Sequence, residues 1–317
     1  MGNYIFRRLL LVIVTFLGIT IIVFFISYMA PGSPIDYLLA EPTISAEELV
    51  RRAEQLGLHK PVYIQYFSWL GQLLHGNLGF SYRTYRSVSE MIRECLGNTL
   101  LLTFSSLLIA YIIAIPIGIY SARRPYSPGD FLSATGALFA MAMPGFVIGM
   151  FFIFIFSAKL GWLPMSGMSS SNTSRSALDV LLHLIMPSLC LAIQQIGYIM
   201  RQMRSSMLDV LNEDYIRAAR AKGLSTHHVV YTHALRNALA PMVTLFGTSL
   251  PFLIGGAVVT EQVFTWPGIG SLMVSSITAR DYPVIMGITV VVAIAVLIGN
   301  LIVDITYGIL DPKIRYN

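Results

Sequence analysis

Three histidines, His227, His228 and His233, fall within one short stretch of the chain, and imidazole is a common metal ligand. Adjacent histidines on a helix point in different directions, and no cysteine or carboxylate stands at ligand spacing to complete a site, so a solvated surface accounts for them better than a metal does. Cys95 and Cys190 are isolated among apolar residues and form no Cys-x-x-Cys pair, which reads as two small buried side chains. The sequence holds no Gly-x-x-x-x-Gly-Lys-Ser/Thr stretch to cradle phosphates, no Gly-x-Ser-x-Gly nucleophile and no His-Glu-x-x-His pair. Catalysis by this chain alone, and a metal or cofactor held by it, are therefore not expected.

Chemistry of another kind is concentrated from Asp214 onward, in "DYIRAARAKGLSTHHVVYTHALRNALAP". Arg217, Arg220 and Lys222 can donate charge-assisted hydrogen bonds to a partner's acceptors. Ala218 and Ala219, with Gly223 beyond them, make a face thin enough for another surface to approach the backbone. Asn212 is a suitable N-cap with Glu213 and Asp214 in the first turn, and Gly223 a suitable C-cap. Leu224 opens the turn, and Ser225 or Thr226 can cap a second helix that runs through the histidines. The spacing predicts a helix, a glycine turn and a second helix. It leaves two uses open: a plug for a partner's groove, or a basic loop resting on anionic lipid headgroups.

The elements that carry this hairpin are apolar. Of 317 residues, 55% are hydrophobic and 12% charged, with mean hydropathy +0.69. A soluble domain is about one quarter charged, so this is the composition of an integral membrane protein. Six stretches approach the roughly twenty apolar residues that cross a bilayer: 9–29, 99–120, 131–156, 178–200, 238–260 and 284–303. The first is too long for a cleavable leader, and "MAPGSP" beyond it is a weak cleavage site. Twelve Lys and Arg lie before the first span, after the second, between the fourth and fifth and at the chain end, against Lys159, Arg175 and Arg280 in the opposite short loops. Both termini and the hairpin are thus expected on the cytoplasmic side. The chain divides into residues 1–30, holding the first span; an external helical segment, 31–98; and a five-helix core, 99–317, which includes the hairpin at 201–237. Within the external segment, Ser45 and Glu48 mark a capping-box helix start, and "VYIQYFSWLGQLLHGNLGFSY" follows at helical spacing.

The spans are nearly empty of ionisable groups, with His183 in the first turns of the fourth and Asp304 at the end of the sixth. A carrier that couples to protons or ions inside its own helices needs such groups or unwound backbone, so this passage is expected to draw its energy from elsewhere. Pro116, Pro144-Gly145, Pro187, Pro241, Pro251 and Gly255-Gly256 are sites for kinks or hinges, and Gly136, Ala137, Ala140 and Gly145 suit close helix contact. Outside, "TWPGIG" is a turn followed by amphipathic "SLMVSSITARDY". It reads either as an interfacial re-entrant helix anchored by Trp266 and Tyr282, or as a gate at the outer mouth.

The hairpin resembles the "EAA" loop of ABC importer permeases, whose pattern is Glu-Ala-Ala, three residues, Gly, nine residues, then Ile-x-Leu-Pro. Arg217-Ala218-Ala219 and Gly223 keep the first spacing and Leu235 the Leu position, while Arg217 replaces Glu, His233 replaces Ile and Arg236 replaces Pro. "DYIRAARAKGLS" with "HALRNAL" is similar to the form seen in the dipeptide/oligopeptide/nickel permease subfamily. "MAPGSPID", "LGLHKPVYIQYFSWLGQLLHGNLGFSY", "GWLPMSG", "VFTWPGIGSLMVSSITARDYPVIMG" and "LDPKIRY" resemble landmarks of its first permease subunit. The resemblance implies an all-α integral membrane protein of the ABC type I importer permease fold, with six transmembrane helices and a helical extracytoplasmic cap after the first. It implies a place in the bacterial inner membrane among lipids, beside a homologous second permease subunit, two cytoplasmic ATPases that bind ATP and Mg, and an extracytoplasmic substrate-binding protein, with no nucleic acid. It also implies that Asp214, Arg217, Ala218, Ala219, Lys222, Gly223 and Leu224 form the helix that couples to an ATPase. Trp266, Pro267, Gly268, Arg280 and Asp281 are then the candidate outer gate or binding-protein contact. Di- or oligopeptides are the implied cargo; nickel or metal chelates, glutathione or oligosaccharides are alternatives, and an ATP-independent channel or carrier is a reading from another class.

Overall fold

The structure, a computed structural model, describes residues 2–30, 51, 54, 59–170 and 176–310. The capping-box helix expected from Ser45, "MAPGSPID" beyond Ala30, Arg175 and the terminal "LDPKIRY" beyond Leu310 lie outside the described residues. Apart from one antiparallel bridge between Phe80 and Ser87, the described elements are helical. In order they are α1 (Gly2–Met29), α2 (Val62–Leu74), α3 (Val88–Arg123), α4 (Pro128–Ala142), α5 (Gly145–Phe152) with a π-helical continuation Ile153–Lys159, α6 (Ala177–Leu211) and α7 (Asp214–Ala221). Then come α8 (Thr226–His228), a π-helical stretch Val229–Ala234, α9 (Leu235–Ala238), α10 (Ala240–Gly256), α11 (Val258–Val263), α12 (Ile269–Thr278) and α13 (Tyr282–Leu310).

Four helices are long and apolar enough to cross a membrane: Phe6–Met29, Val88–Arg123, Ala177–Leu211 and Tyr282–Val303. The expected third span is a pair of helices, Pro128–Ala142 and Gly145–Lys159, bent by 99°, which makes a fifth if counted as one. The bend has a local cause. Pro144 offers no N–H to continue α4, and Met143 before it takes an extended ψ of 128°. In place of the expected fifth span stands α10, with 17 residues at the lower limit of what spans a bilayer core. The described residues therefore supply four to five spans by length and composition, where six were expected. The spans also carry more ionisable groups than expected: Asp179 lies in the first turn of α6, inside the fourth apolar stretch. Its carboxylate accepts from the Ser170 backbone N–H and hydroxyl, both at 2.7 Å.

α3 and α6 pack along much of their length, with α4 against α6. Gly197 marks one close crossing, where a Cβ would stand 2.6 Å from the Ala137 carbonyl oxygen. This is a use for the small-residue face that the sequence suggested, although Gly136 on the same helix is exposed. At the end of the bundle that carries the basic hairpin, Met200, Met203 and Met207 of α6 join Ile119 of α3, Ile216 of α7, and Val229, Val230 and Ala234 in one buried cluster. At the other end α2 leans on the C-terminal half of α1 through Phe24, Tyr66 and Trp69, and the Tyr66 hydroxyl lies 3.1 Å from the Thr20 hydroxyl.

Candidate functional site

The basic stretch folds as a helix, a turn and a second helix. Asn212 ends α6, its N–H donating to the Asp209 carbonyl and the Glu213 N–H to the Val210 carbonyl, so the N-cap of α7 is Glu213 rather than the expected Asn212. α7 closes at Lys222, and Gly223 follows with φ +81°, the left-handed conformation that favours glycine after a helix. The Ser225 hydroxyl accepts from the His228 N–H at 3.3 Å and starts the second limb. That limb is wider than a plain α-helix, since a π-helical stretch carries it from Val229 to Ala234.

The hairpin is held from one side only. Ile216 is fully buried against the methionines of α6, and Val229, Val230 and Ala234 from the second limb enter the same cluster. The Tyr215 hydroxyl accepts from the Asn237 amide at 2.7 Å, and the Ser206 hydroxyl donates to the Ala238 carbonyl at 3.0 Å. On the opposite face Asp214, Arg217, Ala218, Lys222, Gly223 and Leu224 are all exposed, while Ala219 is half-buried and packs inward. Arg217 pairs with Asp214 at 2.7 Å, both largely in solvent, where such a pair contributes little. His227 stacks against Tyr231 with ring centroids 4.5 Å apart, and His228 meets Thr232 at 3.3 Å. Among the described residues no three His, Cys, Asp or Glu side chains gather as metal ligands.

The Trp266 turn, expected on the outer side, is built the other way. Trp266 is wholly buried among Leu102, Leu184 and Leu191; its indole N–H donates to the Asn98 carbonyl at 3.0 Å, and the Asn98 amide donates to the Pro267 carbonyl at 2.8 Å. Glu261, one residue beyond the fifth apolar stretch, is also fully buried. Its carboxyl group accepts from the Thr99 hydroxyl at 2.6 Å and the Ser271 N–H at 2.9 Å, which gives the first turn of α12 an acceptor. Gly268 lies so close to this carboxylate that a Cβ would meet Glu261 Oε1 at 2.1 Å. Asp281 is only 4% exposed and accepts from the Ser81 hydroxyl and the Tyr82 N–H, tying the segment ahead of α3 to the start of α13. Of the five residues proposed for this surface, only Pro267 and Arg280 are exposed. Trp266, Gly268 and Asp281 are internal braces: the indole and carboxylate found partners inside the fold, so none of the three presents a side chain to a binding protein, nor is Trp266 an interfacial anchor.

A third constellation was not singled out by the sequence. Asp130, three residues into α4 and 4% exposed, accepts from Arg204 Nε at 2.7 Å and Nη2 at 2.8 Å, from the Tyr126 N–H at 2.9 Å and from the Ser121 hydroxyl. Three helices, α3, α4 and α6, meet at one carboxylate. The available signal was an acidic residue after the helix start Ser127-Pro128, and nothing local links it to an arginine 74 positions on.

Comparison with known proteins bears on the whole chain. Residues 1–103 match the family described as binding-protein-dependent transport system membrane component, N-terminal, and residues 114–316 the family described as binding-protein-dependent transport system inner membrane component. The chain is 47% identical over 317 residues to the oligopeptide transport system permease protein AppB of Bacillus subtilis (strain 168), covering 100% of both. It is 40% identical over 316 residues to the glutathione transport system permease protein GsiC of Salmonella typhimurium (strain LT2), covering 100% of both. It is 38% identical over 334 residues to the di/tripeptide transport system permease protein DppB of Pseudomonas aeruginosa (strain UCBPP-PA14), covering 100% of this chain and 99% of that one. Its fold is similar to a chain of the MetNI methionine ABC transporter in an inward-facing crystal form, with TM-score 0.57 and 18% identity over 70% of this chain and 96% of that one. These matches run from end to end and join the exposed hairpin to an all-helical membrane body: the chain belongs to the inner membrane components of bacterial binding-protein-dependent transport systems, the non-catalytic permease subunits of ABC importers that work with a binding protein and an ABC ATPase.

Proposed function

We propose that this chain is one of two homologous permease subunits of a peptide importer, with six spans, both termini in the cytoplasm, and two ATPases that bind ATP and Mg beneath it. The relatives' named cargoes, oligopeptides, di/tripeptides and glutathione, share peptide chemistry and support the same cargo here. The bent pair α4–α5 and the short α10 supply the third and fifth spans, and the charge asymmetry of the loops supports the orientation. In this reading ATP binding draws the two ATPases together, the hairpins move with them, and the permease pair rocks between inward- and outward-facing states; hydrolysis resets it.

The observation that carries the proposal is the one-sided hairpin. Ile216, Val229 and Val230 hold it to the body and Tyr215 ties its two limbs through Asn237, while Ala218, Gly223 and Leu224 face out with Arg217 and Lys222 beside them. The small face admits a partner's groove, and the flanking cations supply hydrogen bonds at its edge. Cargo is tested in liposomes holding the four-subunit assembly, with its binding protein outside and ATP inside. Uptake of a radiolabelled tripeptide is expected to be competed by unlabelled di- and oligopeptides and unaffected by nickel chelates. Competition by nickel chelates with none by peptides would replace peptide by metal as the cargo.

A further inference from the structure

We infer that Asp130 and Arg204 are positioning residues that make the ends of α3, α4 and α6 one rigid piece with the hairpin, so that a push on the hairpin reaches the spans instead of being lost in a loop. This rests on reading the hairpin as the ATPase dock. α6 reaches the hairpin directly: Met203 and Met207 pack in the cluster that buries Ile216, and the Ser206 hydroxyl holds the Ala238 carbonyl. Arg204 stands between these residues on the same helix. Its guanidinium forks onto both oxygens of Asp130 at 2.7 and 2.8 Å, and also donates to the Ser121 hydroxyl at 3.1 Å. The Tyr126 N–H closes the fourth side of the carboxylate, which fixes the turn between α3 and α4.

A planar fork on a carboxylate has one good geometry, and each further donor to that carboxylate removes a way to tilt. Breaking such a pair strands a buried charge, so it stays closed while softer contacts move. Stability alone does not require this arrangement, because well-packed apolar residues hold helices together at least as well as a buried ion pair. What the pair adds is direction: three helix ends that cannot slide past one another.

The test uses the assembled transporter, purified with its ATPases and binding protein, in nanodiscs. Basal ATP hydrolysis, hydrolysis stimulated by the loaded binding protein, and the yield of intact complex are measured for Asp130→Asn, Arg204→Lys, and the double variant Asp130→Asn with Arg204→Gln. The double variant removes the stranded charge while keeping similar shapes, which separates positioning from folding. The stimulated-to-basal ratio is expected to fall about tenfold in all three, the scale of losing one coupled pair, with the double variant recovering complex yield. A double variant that recovers both yield and ratio would overturn the inference, as would unchanged ratios in the single variants. Loss of basal rate, ratio and yield together in Arg204→Lys, which keeps the charge, would also overturn it by showing a folding role only. Ala218→Arg is run beside them. If it uncouples and the pair variants do not, the clasp alone fails; if it leaves coupling intact, the docking role of the hairpin fails.

Discussion

Gly223 and Gly268 occupy turns at opposite ends of the bundle, and a methyl group added to each meets opposite surroundings. At Gly223 nothing lies within 4 Å; at Gly268 the Glu261 carboxylate would be 2.1 Å away. The difference extends to their neighbours. Around Gly268 the tryptophan, both carboxylates and the Asn98 amide have partners inside the fold, so the outer turn is a brace that joins α3, α11, α12 and α13. Around Gly223 the cations, Ala218 and the glycine itself face solvent, and the apolar contacts that fix the hairpin lie behind. A surface suited to a partner leaves its side chains in solvent and takes its rigidity from the opposite face. A surface made for support uses its donors internally.

That contrast is open to attack at both ends. Trp266→Ala removes a fully buried indole and its hydrogen bond, and is expected to destabilise the protein by about 3–5 kcal/mol, read as a lowered thermal midpoint of the complex in nanodiscs. A loss below about 1 kcal/mol would mean that the outer turn is not a brace. Gly268→Ala forces a methyl onto the Glu261 carboxylate and is expected to cost about 1–3 kcal/mol in the same assay. Gly223→Ala meets open space but a left-handed backbone, so about 1 kcal/mol is expected, from conformation alone. Arg217→Ala breaks an exposed pair with Asp214 and an exposed hydrogen bond to the Asn212 carbonyl, and the midpoint should move by no more than about 0.5 kcal/mol equivalent. If the hairpin variants proved as costly as the outer ones, the two ends would be built alike.

What could be read in advance follows the range of the forces involved. Caps and turns are local, so Gly223 and Ser225 were legible from their neighbours alone, and the cap assigned to Asn212 missed by one residue because that residue still completes α6. Spans follow from apolar runs, yet the run 131–156 hides a 99° bend that only the proline at 144 betrays. The hairpin's exposed face was legible because its charged and small residues tolerate solvent; Ala219 is half-buried, since an alanine suits either side. At the outer turn, local reasoning took Trp266 and Asp281 for surface groups. Their partners stand 168 and 200 positions away, at Asn98 and Ser81, and such pairings appear only once helices are packed. Glu261 with Thr99, and Asp130 with Arg204, were missed for the same reason.

Ala219 packs partly inward, so a large residue there disturbs the fold as well as the dock, and Gly223 adds backbone strain. Ala218 is exposed and helical, so its replacement by arginine changes only the face offered to a partner. The decisive measurement is the stimulation of ATP hydrolysis by the loaded binding protein in the assembled transporter carrying Ala218→Arg. The expected result is a ratio of stimulated to basal rate near about one, with thermal stability of the permease within about 0.5 kcal/mol of the unaltered protein, as for a surface substitution. Stimulation equal to that of the unaltered transporter would contradict the hairpin's role as the place where the ATPase takes hold.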